Sequence, residues 1–570
     1  MTPAGRSIAD IFRYGVQRHQ AGELDQAERA YRQILALQPR QPDTLHVLGV
    51  LAYQRGQYQQ AVSAIGQAIG LRGDRAAYHS NLALALLGLG HSAEAEQSCR
   101  TALRLDPGFY AAHNTLGRIL CSVDRVTEAE ACYREALRLN PAGHEAHNNL
   151  GNLLSGRKCY AEAEACFRTA LALKPDQSEV TFNLAGTLRE QERHGEAEVA
   201  YRDVLRANPN HTEAHYGLAN SLFLAGRRRE AEAGFRSALR LDPGHAGANY
   251  SLGHLLLLTG RMEEGWNYYE WRAELYDVGR RNFAAPLWDG RPTGDRVLFV
   301  YAEQGLGDTL QFCRYLPLVA ERAKLVVGVQ PPLRELISTM PGITRVISTG
   351  DALPPFDTHC PLLSLPRVLG VTLATISSTV PYLSTDPRRT ASWRDRLARI
   401  GGFRVGLVWA GGRRPDQPSA AATDARRSMA LDRMAPLAEV EGVSFISLQK
   451  GEPATQAAHP PRGMVLHDFT GELDDFAETA ALIEGMDLVI GVDTSVPHLA
   501  GALGKPVWLL NRFDTCWRWL LDRDDTPWYP TMRLFRQPSA GDWDSVMIAV
   551  KKALLLRLGE VSGRGRQSAP

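Results

Sequence analysis

The sequence contains no apolar run long enough to cross a membrane. Its longest aliphatic stretch, Leu255 to Leu258, is far shorter than the roughly 20 residues that a bilayer requires. The amino terminus lacks the apolar core of a signal peptide. The eight cysteines are scattered and form no C-x-x-C pair, so neither a zinc ribbon nor a redox motif is visible. We therefore expect a cytoplasmic protein without a transmembrane segment.

The sequence also has no excess of either charge. Its 64 basic and 63 acidic residues give a formal net charge of +1, which argues against a nucleic-acid partner. A chain of 570 residues is too long for a single core and suggests about three to four domains.

The first half of the chain is periodic at 34 residues. Small residues recur at one position of the period, aromatic residues often follow four positions later, and proline closes most units. The small residues are Ala27, Ala61, Ala95, Ala129, Ala163, Ala197, Ala231 and Gly265. This pattern resembles the tetratricopeptide repeat, whose units stack into a superhelix with a concave binding face. We expect about eight repeats over residues 8–277, with a protein or peptide in their groove.

Two sets of polar residues recur within the repeats. One set lies on the first helices and either hydrogen-bonds an extended peptide or is merely solvated: Asn114, Asn148, Asn152 and Asn220. The other set shares one repeat position and consists of His79, His113, His147 and His215. Because these histidines lie whole repeats apart, a packing role is favoured over metal ligation.

The pattern of predicted secondary structure changes where the 34-residue period stops. The aromatic segment Trp266 to Arg272 is typical of a cap that seals a solenoid against its neighbour, and residues 278–295 form a Pro/Gly-rich linker. Alternating strands and helices then predict two Rossmann-like α/β lobes, over residues 296–390 and 400–558, with a cleft between them. We expect the last helix to end at Leu558 and residues 559–570 to form a disordered tail.

The stretch from Asp487 to Leu510 is the centre of the second lobe. It predicts a buried strand, a tight turn, a short helix and a second strand. Thr494 and Ser495 lie where the helix begins, at the carboxyl end of the strand, and such a place favours an anion such as a pyrophosphate. The alternative is a βαβ unit with ordinary capping.

A glycine-rich turn, Gln304 to Asp308, follows the first strand of the first lobe. Gly305 and Gly307 leave room for a substrate to approach. Asp308 is either a general base that faces the cleft or an N-cap for a helix that begins at Thr309.

Two motifs carry a second resemblance. The turn GLGDTLQFCRYLPLV and the stretch VDTSVPHLAGALGKPV resemble the motifs of the ADP-heptose:lipopolysaccharide heptosyltransferase family, which has the GT-B fold of two Rossmann-like lobes. The resemblance covers roughly residues 295–555. It implies that Asp308 is the general base and that the donor is bound by Asp493, Thr494, Ser495 and His498. Ser495 departs from the family's glycine, so we expect the backbone to approach the phosphates less closely.

The family also places a basic residue after the first strand of the second lobe. The candidates in this sequence are Arg413, Arg426 and Arg427, in a stretch that reads as a polar loop, with Lys450 as a weaker alternative. Arginine and a helix N-terminus can stabilise a leaving diphosphate without metal. Asp522 and Asp524 are a poor metal-binding pair, and we expect neither a metal nor a cofactor.

The combined prediction is an α-solenoid followed by a GT-B domain, as in a group of bacterial proteins. The resemblance implies a glycosyltransferase that moves a sugar from a nucleotide sugar to a hydroxyl, while the repeats recruit acceptor or partner protein. One alternative is an enzyme similar to the O-linked N-acetylglucosamine transferases, which join the same repeat to a GT-B half. The other is a scaffold without activity.

Overall fold

The computed structural model describes residues 7–275, 283–412 and 418–567, with the backbone alone for 418–420 and 561–567. Arg413 therefore lies outside the described residues. The chain divides into two compact units, Met1–Gly234 and Phe235–Pro570. No helix within the described ranges is both long and apolar enough to cross a membrane.

The repeats are a run of sixteen helices that alternate between lengths of 13 and 14 residues, except for the shorter last one. They are α1 Ile8–Gln20, α2 Leu24–Leu37, α3 Pro42–Gln54, α4 Tyr58–Leu71, α5 Ala76–Gly88, α6 Ser92–Leu105, α7 Tyr110–Ser122, α8 Val126–Leu139, α9 His144–Gly156, α10 Tyr160–Leu173, α11 Ser178–Glu190, α12 His194–Ala207, α13 Thr212–Leu224, α14 Arg228–Leu241, α15 Ala246–Leu258 and α16 Met262–Tyr269. Consecutive helices pair into eight helical hairpins, which is the tetratricopeptide architecture that the period predicts.

The small residues of the period allow the helices to approach closely. Ala129 and Ala163 are completely buried, and the glycine of the preceding helix faces an aromatic ring. A Cβ atom on Gly117 would lie only 2.5 Å from the ring of Tyr133, and one on Gly151 would lie 2.7 Å from the ring of Phe167. Any side chain introduced at either position would therefore collide with the aromatic ring that packs inside the repeat.

The four recurring histidines lock the turns between repeats. The Nε2 atom of each lies 2.9–3.0 Å from the backbone carbonyl oxygen six residues earlier, and the pairs are His79–Gly73, His113–Pro107, His147–Pro141 and His215–Pro209. Because a carbonyl oxygen only accepts, Nε2 carries the proton and donates. These contacts give the histidines a structural role, as we expected.

Two of the repeat asparagines are fixed along one face of the first unit. Asn114 Oδ1 accepts a hydrogen bond from Asn149 in the next repeat at 2.9 Å, and Asn148 Oδ1 accepts one from Asn183 at 3.3 Å. Their side chains therefore link successive repeats and are held in defined orientations.

The second unit also contains the first α/β lobe. Its four parallel strands are β1 Val297–Tyr301, β2 Lys324–Val329, β3 Ile343–Ser348 and β4 Thr358–Pro361, in the order β3-β2-β1-β4. The helices of this part are α17 Arg272–Leu275, α18 Leu306–Phe312, α19 Leu316–Ala320, α20 Arg334–Ser338, α21 Leu365–Val368 and α22 Pro387–Leu397. Strand order reverses direction between β1 and β4, so the loop after β1 lies at a topological switch point.

The second lobe is a six-stranded parallel sheet in the order β10-β9-β8-β5-β6-β7. Its strands are β5 Phe403–Val408, β6 Val443–Ser447, β7 Leu466–Asp468, β8 Leu488–Val492, β9 Val507–Asn511 and β10 Met532–Arg536. Its helices are α23 Pro418–Arg427, α24 Phe476–Glu484, α25 Ser495–Ala502 and α26 Trp543–Gln567. The switch point lies between β5 and β8, which pair from Val405–Leu488 onward. An α-solenoid followed by an α/β fold of two lobes is the predicted fold class.

Three local expectations differ from the structure. The stretch read as a polar loop is helical from Pro418 to Arg427, because Pro at the first position and the alanines that follow favour a helix. Helix α18 begins at Leu306 rather than Thr309, so Asp308 lies inside its first turn. Helix α26 continues to Gln567, past Leu558, where we expected a disordered tail; residues 568–570 lie outside the described residues.

Candidate functional site

The switch point of the second sheet places a helix N-terminus at the end of a buried strand. Val492 ends β8, Asp493 follows, and Thr494 is the N-cap of α25. Thr494 makes no side-chain capping bond, and its Oγ1 is buried with no hydrogen-bond partner among the described residues. A buried hydroxyl without a partner costs free energy, so a ligand that bonds to it would be favoured.

A buried polar cluster lies behind this turn. The Nδ1 atom of His498 is 2.9 Å from the hydroxyl of Tyr529, its Nε2 atom is 3.8 Å from Asp493 Oδ1, and its ring stacks on Trp519 at 5.2 Å. Burial lowers the pKa of His498 to about 4, although the Asp493 carboxylate acts in the opposite direction. The imidazole is therefore neutral at neutral pH. We infer that Tyr529 donates to Nδ1, which leaves the Nε2 proton directed at Asp493.

The carboxylate of Asp493 is held in its ionised form. Burial acts to raise its pKa, but nearby positive charge, His498 when protonated and the guanidinium of Arg427, outweighs burial and the pKa lies below its ordinary value. With His498 neutral, the charges of Arg427 and Arg512 persist at neutral pH, and Arg427 contributes more. Its Nη1 donates to the backbone carbonyl of Asp493 at 2.8 Å.

Arg427 reaches Asp493 from the other side of the switch point. It ends α23, and its Nη2 pairs with Asp424 Oδ1 at 2.5 Å. Its Nε is buried without a hydrogen-bond partner in the described parts of the chain. A Cβ atom on Gly411 would lie 2.9 Å from this guanidinium, so the third residue after β5 must be glycine for Arg427 to occupy its place. The turn itself is held by Gln449, which bonds the backbone of Trp409 and Ala410.

Asp308 faces these groups from the first lobe. Its Oδ2 accepts the N–H of Gly305 at 2.9 Å, and its Oδ1 pairs with Arg518 of the second lobe. Asp308 is therefore at once a helix cap and half of an ion pair, and neither contact excludes the proposed role as a base. Gly307 allows the lobes to meet, because a Cβ atom there would lie 3.1 Å from His498 Cδ2.

Arg518 is the functional candidate that sequence reasoning missed. Its Nε donates to Gln311 Oε1 at 2.5 Å, and its guanidinium lies 4.4 Å from the ring centre of Trp517. Burial acts to lower the pKa of Arg518, but Asp308 together with Cys516 and Tyr269 outweighs it, and the pKa lies well above its ordinary value. The only signal in the sequence is an arginine bracketed by two tryptophans, 210 residues from Asp308.

A second arginine joins the lobes in the opposite direction. Arg314 of the first lobe donates to the backbone carbonyl of Trp528 at 2.8 Å and to the hydroxyl of Tyr382 at 3.0 Å. Its guanidinium also lies 4.8 Å from the ring centre of Tyr529, which in turn contacts His498. The cleft is thus crossed by two buried arginines.

The structure brings together most of the residues predicted from sequence. Those near the cluster are Gly305, Gly307, Asp308, Arg427, Asp493, Thr494, Ser495 and His498. Two candidates have other contacts: Arg426 pairs with Asp514 at 2.9 Å, and Lys450 Nζ donates to the Thr470 carbonyl at 2.6 Å. No group of three or more His, Cys, Asp or Glu that could hold a metal occurs among the described residues.

Comparison with known proteins agrees with this architecture. The family described as tetratricopeptide repeat matches residues 19–69, 46–109, 110–142, 144–210, 188–235 and 216–270. Glycosyltransferase family 9 (heptosyltransferase) matches residues 449–510, which include β8, α25 and all but the last residue of β9. The chain therefore carries tetratricopeptide repeats in its first half, and residues 449–510 of its second lobe resemble glycosyltransferase family 9.

Individual relatives are more distant. Protein FlbA of Caulobacter vibrioides is 28% identical over 323 residues, which cover 51% of this chain and 52% of that protein. The chain thus spans about half the length of this curated relative.

Among solved structures, YrrB, described as a TPR protein with an unusual peptide-binding site, is 22% identical, with a TM-score of 0.30, over 33% of this chain and 98% of that one. Pseudomonas aeruginosa pilF is 23% identical, with a TM-score of 0.34, over 37% and 96%.

Proposed function

We propose that this protein is a glycosyltransferase that moves a sugar from a nucleotide-sugar donor to a hydroxyl acceptor. The observation that carries the proposal is that the turn of Asp308, on the first lobe, meets the N-terminus of α25, on the second, since a Cβ atom on Gly307 would lie 3.5 Å from Ser495 Cα. The Thr494 hydroxyl at this N-terminus is buried and has no hydrogen-bond partner among the residues that the structure describes. The match of residues 449–510 to glycosyltransferase family 9 supports the same activity.

The donor diphosphate would bind at the second lobe. The free backbone N–H groups at the start of α25 and the helix dipole favour an anion, and the hydroxyls of Thr494 and Ser495 add hydrogen bonds. Arg427 Nε offers a further buried donor. Because fixed positive groups can stabilise the charge that grows on the leaving diphosphate, the reaction would need no divalent metal and no cofactor.

Asp308 would accept the proton of the acceptor hydroxyl. Each carboxylate oxygen has a second lone pair beyond the one used for Gly305 or Arg518, so the acceptor can bond without breaking either contact. Arg518 would keep the carboxylate oriented and, across the cleft, add positive charge near the diphosphate.

The repeats would recruit a protein or peptide that is the acceptor or that delivers it. The linked side chains of Asn114 and Asn148 support this role, because oriented amides can pair with an extended backbone. A protein acceptor would make the enzyme similar to the O-linked N-acetylglucosamine transferases. The absence of turnover with every donor would favour a scaffold.

A panel of nucleotide sugars tests the proposal. Binding is measured by calorimetry for the wild type, for Thr494→Val and for Thr531→Val, which removes another buried hydroxyl without a described partner, outside the cluster. We expect one class of nucleotide sugar to bind the wild type and the Thr531 variant alike and to bind the Thr494 variant more weakly. Equal binding by all three proteins would show that the donor site does not lie at α25. No binding by the wild type would refute the proposal that the donor is a nucleotide sugar.

A further inference from the structure

The last helical hairpin of the repeats belongs to the same compact unit as both lobes, because that unit begins at Phe235. The segment that follows this hairpin contains Arg272, whose side chain is only 3% exposed. Arg272 Nη2 donates to Glu303 Oε1 at 2.7 Å, and its Nε lies 3.2 Å from the same oxygen. The Glu303 side chain is also 3% exposed, so the ion pair is fully buried.

All three nitrogen atoms of the Arg272 guanidinium donate hydrogen bonds. Nη2 also donates to Ser364 Oγ at 2.7 Å, and Nη1 donates to Glu270 Oε1 at 2.9 Å and to the Tyr269 carbonyl at 3.2 Å. Ser364 donates in turn to Glu270 Oε2 at 2.9 Å. Such a closed network admits one geometry, because a shift of any member would leave a buried polar group without its partner.

This network reaches the residue that we propose as the base. Glu303 lies in the loop after β1, two residues before Gly305, and the N–H of Gly305 is the group that Asp308 Oδ2 accepts. The position of Glu303 therefore sets where the loop ends and where the first turn of α18 begins. Arg272 has no contact with Asp308 in the described structure and would act only through this loop.

The same hairpin supports the partner of Asp308. The ring of Trp266 lies 5.3 Å from that of Trp517, and the ring of Tyr269 lies 5.8 Å from it. Trp517 precedes Arg518 and carries its guanidinium on the indole face. Trp266 is itself fixed by a 2.9 Å hydrogen bond from Nε1 to the Val371 carbonyl. Both halves of the Asp308–Arg518 pair thus rest on the last hairpin.

We propose that Arg272 is a positioning residue: through its buried contact with Glu303, the end of the repeat array sets the place of Asp308 in the cleft. This inference rests on the proposed function for its catalytic readout but not for its structural one. It implies that a catalytic half without the last hairpin lacks part of its own site.

The test is a pair of substitutions that removes the charges together. Replacing a buried ion pair by apolar residues of similar size is often neutral for stability, whereas removing one partner is not. Arg272→Met/Glu303→Leu in the full chain should therefore lose less stability than Arg272→Met alone, because no unpaired charge is left at Glu303 and Ser364 still donates to Glu270, while the orienting contacts are lost. The matched control is Arg236→Gln/Glu264→Gln, which removes a 2.6 Å pair from the partly exposed surface of the same unit.

Two measurements are made on each protein. The first is kcat and KM for the donor found in the nucleotide-sugar panel. We expect kcat to fall about 10²-fold, as for a displacement of the base by about 1 Å, with KM unchanged because the donor groups lie on the second lobe. The second is amide hydrogen exchange of residues 302–312, which should become faster in the double variant and stay unchanged in the control.

Wild-type kcat and wild-type exchange in a stable double variant would overturn the proposal and leave Arg272 as a structural seal. If the double variant does not fold, Arg272→Lys decides by the same measurements, since it keeps the charge but cannot make all contacts at once. If the wild type turns over no nucleotide sugar, the proposed function fails, and the exchange of residues 302–312 still decides the role of Arg272.

Discussion

Replacing Asp308 with asparagine separates a general base from a helix cap, and the structure sets what else the change does. Asparagine can still accept the N–H of Gly305, so the cap survives. Its amide nitrogen or oxygen must then replace the oxygen that pairs with Arg518, whose side chain is only 10% exposed. The single substitution therefore leaves a buried guanidinium without its counter-charge.

The two effects differ in size and in what they change. Loss of one partner of a buried ion pair costs about 3–5 kcal/mol, and the bond from Arg518 to Gln311 should keep the cost near the lower end. Loss of a general base lowers the rate of transfer by about 10²–10⁴-fold. Asp308→Asn/Arg518→Gln removes both charges and allows an amide–amide hydrogen bond, so it should recover most of the stability and none of the rate.

The assay measures transfer at saturating donor together with urea unfolding, for both variants and for a control. Asp475→Asn is the control, because Asp475 caps α24 through a 2.7 Å bond to the Glu478 N–H and pairs with Arg389 at 3.1 Å. It should lose less stability than Asp308→Asn, because Arg389 keeps its pairs with Glu335 and Glu478, and it should keep its rate after correction for the folded fraction.

A wild-type rate in folded Asp308→Asn would refute the role of Asp308 as the base and leave it a cap. A rate that returns in the double variant would also refute it, because stability alone would then explain the loss.

Three further outcomes can be measured. Changing both Thr494 and Ser495 to alanine should weaken nucleotide-sugar binding by about 1–3 kcal/mol in calorimetry, since each neutral hydrogen bond contributes about 0.5–1.5 kcal/mol, and unchanged affinity would contradict this. Burial lowers the pKa of His498 from 6.5 to about 4. Its contribution to the free energy of unfolding is therefore complete above pH 6.5 and is lost as the pH falls toward 4, by about 3 kcal/mol in urea titrations. His498→Gln should remove this part of the pH dependence, and an unchanged pH dependence of stability in that variant would refute the prediction. Transfer should continue in a chelator, and rescue by magnesium or manganese after a complete loss would refute metal independence.

The architecture could be predicted from the sequence because its signals are local, within single helices, strands and turns. The 34-residue period indicates where each repeat helix begins and ends. The run Leu488–Val492 is apolar because both faces of β8 are buried, and this pattern predicts a central strand. Thr494 and Asp308 could be found in the same way, since each lies at a strand-to-helix turn.

The rest depended on contacts between distant residues. Nothing near Arg518 in the sequence indicates that it pairs with a residue 210 positions away. Arg272 was read only as the end of an aromatic cap, because its partner Glu303 lies beyond the expected linker. The helix that carries Arg427 could have been predicted from its alanines, since alanine is the best helix former. The charged residues of the same stretch favoured the interpretation as a loop.

The histidines that close the repeat turns have a consequence for which side chains that position accepts. Each donates through Nε2 to the backbone carbonyl oxygen six residues earlier. At the equivalent position of the last repeat, Asn249 makes the same bond to the Pro243 carbonyl at 3.0 Å. The turn therefore requires a donor that reaches this carbonyl and not an imidazole as such, so His113→Asn should keep the stability of the wild type.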